Sequence, residues 1–227
     1  MRYVIGKRAV GSLIKNSPHR IEKLLVDGDL PKGFPKDLKV EPLNLKDFAG
    51  LNHQGIVALV TPSPYIELSD IHEGPVVALD GVLDPHNVGA ILRTASCFGA
   101  KAVIWSKNRS PGITPTVSKV SAGGSELIPL CQVSNLAQAL KKLKDKGFWI
   151  VVSTMDGADL RQTEIPAPWV LVLGSEDEGV SRLVSELADF NLTIPTDPEG
   201  VESLNVGAAA SVLLYELTRQ SFQSKVP

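Results

Sequence analysis

The 227-residue sequence predicts an α/β fold: a mostly parallel, six-stranded sheet in its larger C-terminal part and a small α/β unit in front of it. Three observations carry this. Short apolar runs recur from Val76 onward, helical patterns separate most of them, and the proline-containing stretch "TPSPYIELSDIHEGP" divides that rhythm from the N-terminal residues. Strand, helix, strand in repetition means parallel pairing with helices on both sheet faces.

In chain order, "YVIGKRAVGSLIKNSP" reads as a short helix ended before Pro18, "IEKLLVDG" as a strand, and "HQGIVALV" as a second strand after a proline-broken middle. The predicted organisation is residues 1–62 as a small substrate-binding unit, 63–75 as linker and 76–227 as the main domain. In that domain the strand-like runs are 76–79, 102–105, 127–131, 148–153, 169–173 and 190–194, and helical patterns lie near 88–98, 115–121, 135–145, 181–188 and 205–219.

The composition, 43% hydrophobic and 21% charged, suffices for a sizeable core. No run approaches the roughly 18 apolar residues of a membrane span, and the start has no leader-like pattern, so a cytoplasmic protein without membrane contact is expected. Cys97 and Cys131 lie far apart in apolar surroundings, outside any C-x-x-C or Cys/His cluster, and read as buried thiols. Net charge is −2, but residues 1–40 carry +5 and the remainder −7. A basic head on an acidic body fits contact with phosphate, or equally a solvated lysine-rich surface.

Ligands of parallel sheets bind at the carboxyl ends of strands, and three loops there hold more chemistry than a fold needs. In "DPHNVGAILRTASCFGA", Asn87 stands where a helix cap belongs, and Val88, Ile91, Leu92, Ala95 and Phe98 form a core stripe. Arg93 lies opposite, among the small residues Gly89, Ala90, Ser96 and Cys97. Alone, this stretch reads as a capped surface helix. In "VLVLGSEDEGVS", Gly174 follows the strand and admits close approach to the backbone. Glu176, Asp177 and Glu178 favour either the next helix N-terminus or a cation or ribose hydroxyls, and repel phosphate. In "TIPTDPEGVESLNVGAAASVLLYEL", Ser203, Leu204 and Asn205 precede a helix that opens with small residues, which leaves room for a ligand or for close helix packing.

Together, in this order, the three stretches resemble the motifs of the SpoU (TrmH) family of RNA ribose 2′-O-methyltransferases. "NRSPGITPTVSKVSAGGSELIPLCQVSNL" resembles the segment after the first motif, and "GKRAVGSLI" with "HQGIVA" resembles the ribosomal-protein-like head of members that methylate a guanosine of large-subunit (23S) ribosomal RNA. The resemblance implies a SPOUT-type domain with a trefoil knot, a homodimer with its active site at the subunit interface, and S-adenosylmethionine as methyl donor, with no metal. It implies catalytic roles for Asn87, Arg93, Glu176, Ser203 and Asn205, and donor contacts from Thr154, Gly174, Ile194 and Leu204. Lys7, Arg8 and Arg109 become candidate phosphate contacts. The third motif departs from the commoner form: Thr196 stands where Met is usual, and the loop is one residue longer. The head is also shorter than in many relatives.

The substrate would be 23S rRNA or a large-subunit assembly intermediate; the alternatives are a transfer RNA, or a non-catalytic RNA-binding or ribosome-assembly role for the same fold. A dinucleotide oxidoreductase is disfavoured, because "ALDGVLDPHN" lacks the G-x-G expected after the first strand.

Overall fold

The structure is a computed structural model and describes residues 2–31, 33, 34, 38–61, 65–197, 199, 200 and 203–223. Lys32, Lys36, Asp37 and Pro62 of the head, and Ser63 and Pro64 of the expected linker, lie outside the described residues.

The head is a four-stranded sheet with one helix. β1 (Arg2–Ile5), β2 (Ile21–Val26), β3 (Val40–Pro42) and β4 (Ile56–Val60) lie in the order β1-β4-β2-β3. α1 (Lys7–Asn16) packs Ala9, Val10 and Leu13 onto Val4, Leu24, Ile56 and Ala58. The first 17 residues are therefore not helix alone. Tyr3, Val4 and Ile5 pair with β4, and Gly6, at φ +96°, turns the chain into α1. Four residues are too few to show strand alternation beside a strong helical pattern, which is why the periodicity hid β1.

The main sheet is all parallel, in the order β10-β8-β9-β5-β6-β7. Its strands are β5 (Val76–Asp80), β6 (Ala102–Ser106), β7 (Leu130–Val133), β8 (Trp149–Asp159), β9 (Trp169–Gly174) and β10 (Phe190–Thr193). Because side chains alternate along a strand, Val77 and Leu79 face α2 (Pro85–Cys97), α3 (Pro115–Val120) and α7 (Val206–Gln223). Val76 and Ala78 face α5 (Leu136–Asp145) and α6 (Arg182–Ser185). Both faces are covered, so the central strands β5, β6 and β9 are apolar along nearly their whole length. Each fully buried Leu, Ile or Val contributes roughly 1.5–3 kcal/mol.

Some expected boundaries shift. Leu127 ends a short helix, α4 (Gly124–Leu127), so the 127–131 run becomes strand only at Leu130. The expected helix at 181–188 is regular only over α6. Gly89 does not share the open side of Arg93; an added Cβ there would lie within 2.9 Å of Val120. Cys131 is buried as expected, but Cys97 is exposed, because it lies one turn beyond Arg93 on the uncovered face of α2.

The topology creates a crevice. The chain leaves β5 toward β6 on one side, and leaves β9 toward β10 on the other, while Asp80 and Gly174 are paired neighbours at the strand ends. Connections that diverge from adjacent parallel strands leave an opening where ligands bind.

Candidate active site

The three loops singled out in the sequence meet at this crevice. α2 is capped not by Asn87 but by Asp84, whose carboxylate accepts from the His86 and Asn87 N–H groups at 3.1 and 3.3 Å, with Pro85 as the first helical residue. An acid followed by proline is itself a helix-start signal, and it could have shown this in the sequence. Asn87, freed from capping and only 7% exposed, turns its side chain across the crevice.

There its Nδ2 donates to Glu176 Oε1 at 3.1 Å. The same carboxylate oxygen accepts from Asn205 Nδ2 at 2.5 Å and from the Val206 N–H at 3.3 Å, and Asn205 Nδ2 also donates to Asn87 Oδ1 at 2.9 Å. Asn205 Oδ1 meanwhile accepts from the Gly207 and Ala208 N–H groups at 2.9 and 3.4 Å, so this residue caps α7. One carboxylate thus holds together the loops after β5, β9 and β10.

The loop after β9 is a tight turn. Ser175 and Gly179 exchange two backbone hydrogen bonds of 3.0 Å, and Ser175 Oγ accepts from the Glu178 N–H. Gly179 has φ +67°, and a Cβ at Gly174 would run into the Gly179–Val180 backbone, so both glycines are steric requirements. At its far end the turn is anchored by the buried Asp80, which accepts from the Ser181 N–H at 2.8 Å and pairs with Arg109 at 3.4 Å. Arg109 lies across Gly81, where its guanidinium occupies the space of a side chain.

Two cavities flank Glu176. The larger, about 590 Å³, is lined by Ser153, Thr154 and Met155 of β8, by Gly174 through Val180, by Ile194 and Thr196, and by Ser203, Leu204 and Val206. All four residues expected to contact the donor, Thr154, Gly174, Ile194 and Leu204, line it. Here β8 bulges: its pairing with β10 jumps from Val152 to Ala158, and Thr193 Oγ1 donates to the Met155 carbonyl at 3.1 Å. Thr154 Oγ1 is buried without a hydrogen-bond partner among the described residues, an atom that awaits one. The smaller cavity, about 330 Å³, lies between Val82, Leu83 and Asp84 on one side and Ser175 through Glu178 on the other, with Asn87 and Arg109 at its edge. Val206 and the bulge residues Ser153 and Met155 were not expected from the sequence, because neither an apolar residue nor an irregular strand marks a site.

The other expected site residues divide. Glu176 lines both cavities, Ser203 the larger and Asn87 the smaller, while Asn205 binds Glu176 behind them. Arg93 lines neither; it is exposed and takes no hydrogen bond or ion pair among the described residues. Six residues along a helix displace it from Asn87 by about 9 Å and about 120° round the axis.

Residues 74–215 match the SpoU rRNA Methylase family. The chain belongs to that family. This SpoU chain is 41% identical, over 239 aligned positions, to the 23S rRNA (guanosine-2′-O-)-methyltransferase RlmB of Pseudomonas aeruginosa, with 96% of each chain covered. Among solved structures, a TrmH-family protein of Porphyromonas gingivalis superposes with TM-score 0.80 at 30% identity, covering 96% of the SpoU chain and 90% of its own. The SpoU methyltransferase AviRb of Streptomyces viridochromogenes, solved with AdoMet, gives 0.82 at 22% identity, with 97% and 90% covered, and shares the fold.

Proposed function

We propose that this SpoU protein transfers a methyl group from S-adenosylmethionine to the ribose 2′-hydroxyl of a guanosine in 23S ribosomal RNA. The observation that carries the reading is the convergence of Asn87, Asn205 and Val206 on Glu176, at the wall shared by two cavities. The 41% identity to RlmB supports the RNA and nucleoside.

The larger cavity suits the donor. It offers the unpartnered Thr154 hydroxyl, backbone at Gly174 and Ile194, and the acids Glu176, Asp177 and Glu178. When bound, S-adenosylmethionine supplies an activated methyl group on a positively charged sulfur. The acidic wall complements that charge, and Leu204 and Val206 provide apolar contact. Asn87 and Asn205, bound to each other and to Glu176, fix the wall so that the acceptor enters a prearranged site.

Arg93 stabilises the developing 2′-oxyanion. A guanidinium is a poor proton acceptor, so the hydroxyl proton leaves to phosphate or water. Its distance from the cavities of its own subunit supports a homodimer in which the partner subunit's Arg93 completes the site. Val212 and Tyr215 are exposed on α7, which packs against α2, and Thr94 and Ser211 hydroxyls meet at 3.0 Å between the two helices. The knotted passage of the C-terminal chain and a cytoplasmic location belong to the same reading; among the described residues no helix is long and apolar enough to cross a membrane.

The reading is tested by incubation with radiolabelled S-adenosylmethionine and, separately, 23S rRNA and bulk tRNA, followed by mapping of the labelled nucleotide. Label at a single guanosine of 23S rRNA is expected. Label in tRNA alone would select the transfer-RNA alternative, and calorimetry without donor binding would select the non-catalytic one.

A further inference from the structure

The strongest buried charge cluster outside the site joins the head to the main domain. Glu126 of α4, its side chain 0% exposed, pairs with Arg2 of β1 and, at 3.1 Å, with Arg20. The Ser125 hydroxyl donates to Glu126 at 3.0 Å, and Arg20 also donates to the Thr61 carbonyl, where the head ends, at 3.2–3.3 Å. Two of the head's cations are therefore spent on a carboxylate more than 100 residues away in sequence.

The steric fit beside this cluster is close. A Cβ on Gly123 would stand 2.5 Å from Ser12 Cβ of α1, and one on Gly124 would stand 2.8–2.9 Å from Leu92 O and Arg93 Cα of α2. Two consecutive glycines are thus clamped between the head's helix and the helix that carries Arg93. Of the remaining head cations, Lys23 and Lys39 pair with Glu41. Lys7, Arg8 and Lys15 are exposed and have no acidic partner among the described residues, and all three lie on α1.

We infer that the Arg2–Glu126–Arg20 cluster is a docking lock that holds the α1 cations in one register to α2, so the protein selects its nucleotide by a fixed distance from a phosphate grip. The inference rests on the RNA-methylation reading above. Buried ion clusters suit such a joint, because they add little net stability, while removing one partner leaves uncompensated charge and opens it. Glu126 is a positioning residue, remote from the reacting atoms.

The deciding experiment uses the full chain with Glu126→Gln and, independently, Ser12→Leu, which wedges the same joint from the head side and leaves the charges intact. Small-angle scattering, S-adenosylmethionine affinity, 23S rRNA kinetics and methyl-position mapping are measured for both. The expected result is a larger radius of gyration, unchanged donor affinity, a KM for RNA raised at least about tenfold, equivalent to about 1.4 kcal/mol, kcat within about twofold, and methylation at nucleotides beyond the single native one. A head that stays docked in both variants would overturn the lock. So would a released head that still methylates one position with unchanged KM. Failure of the unaltered chain to methylate any RNA would instead overturn the methyltransferase reading, and the scattering arm would still decide whether the head is locked.

Discussion

Asn87 donates its side-chain amide to Glu176 across 89 residues of sequence, at 3.1 Å, and is free to do so because Asp84 takes over the capping of α2. The pair works as a unit with Asn205. Glu176→Ala should lower kcat by roughly 10²–10³, the scale seen on loss of a preorganised polar group. In a double-mutant cycle, Asn87→Ala adds far less in the Glu176→Ala background than alone, with a coupling of about 0.5–3 kcal/mol. Additive losses in RNA-methylation rates would show that the two act separately.

Asp84 provides a control of the opposite kind. Its replacement by Ala removes the acceptor for two first-turn N–H groups and should cost about 1 kcal/mol, read as a lower denaturant midpoint with an unchanged slope. Loss of activity without loss of stability would give Asp84 a chemical role instead.

Arg93→Ala should abolish methylation while donor affinity, measured by calorimetry, stays within about twofold. Gly174→Ala should abolish donor binding and with it methylation, because its Cβ collides with the Gly179–Val180 backbone and displaces the turn that lines the larger cavity. Mixing the two inactive proteins should restore part of the activity if Arg93 serves the partner subunit's site. No recovery after verified subunit exchange would place Arg93 in its own subunit's chemistry.

The two thiols should separate cleanly. Burial, with Glu67 and Asp70 nearby, pushes the Cys131 thiol up to about 11. A raised thiol pKa means that the folded state holds its proton more tightly, so the associated stability is intact below about pH 9 and is lost as pH rises toward 11. At pH 8 a maleimide should leave Cys131 unmodified. Cys97 is exposed in the single chain, on the face proposed to meet the second subunit. Its labelling should accelerate at least about tenfold when Val212→Arg disrupts that face, tracked with sedimentation to report the oligomeric state. Equal labelling rates in dimer and monomer would move the interface elsewhere.

Much of the main sheet was legible because a buried parallel strand announces itself as a short apolar run and an amphipathic helix as a 3.6-residue stripe. Val76–Asp80, Ala102–Ser106 and Trp169–Gly174 are such runs. β1 was hidden because four residues carry too little periodicity. Asn87, Glu176 and Ser203, which line the cavities, were legible only as members of the three motifs, since a lone Asn or Glu has many structural uses, while Ser153, Met155 and Val206 were not legible as lining residues.

The sequence by itself determined the alternation of strands and helices, the order of the three loops, and the small residues that leave space beside them, because local periodicity and steric volume are written residue by residue. Only the tertiary structure decided which groups meet. It gave the cap to Asp84 and Asn87 to Glu176, spent Arg2 and Arg20 on Glu126, and turned Arg93 out of its own crevice. A charge or amide finds its partner through the packing of distant elements, and no local pattern encodes that distance.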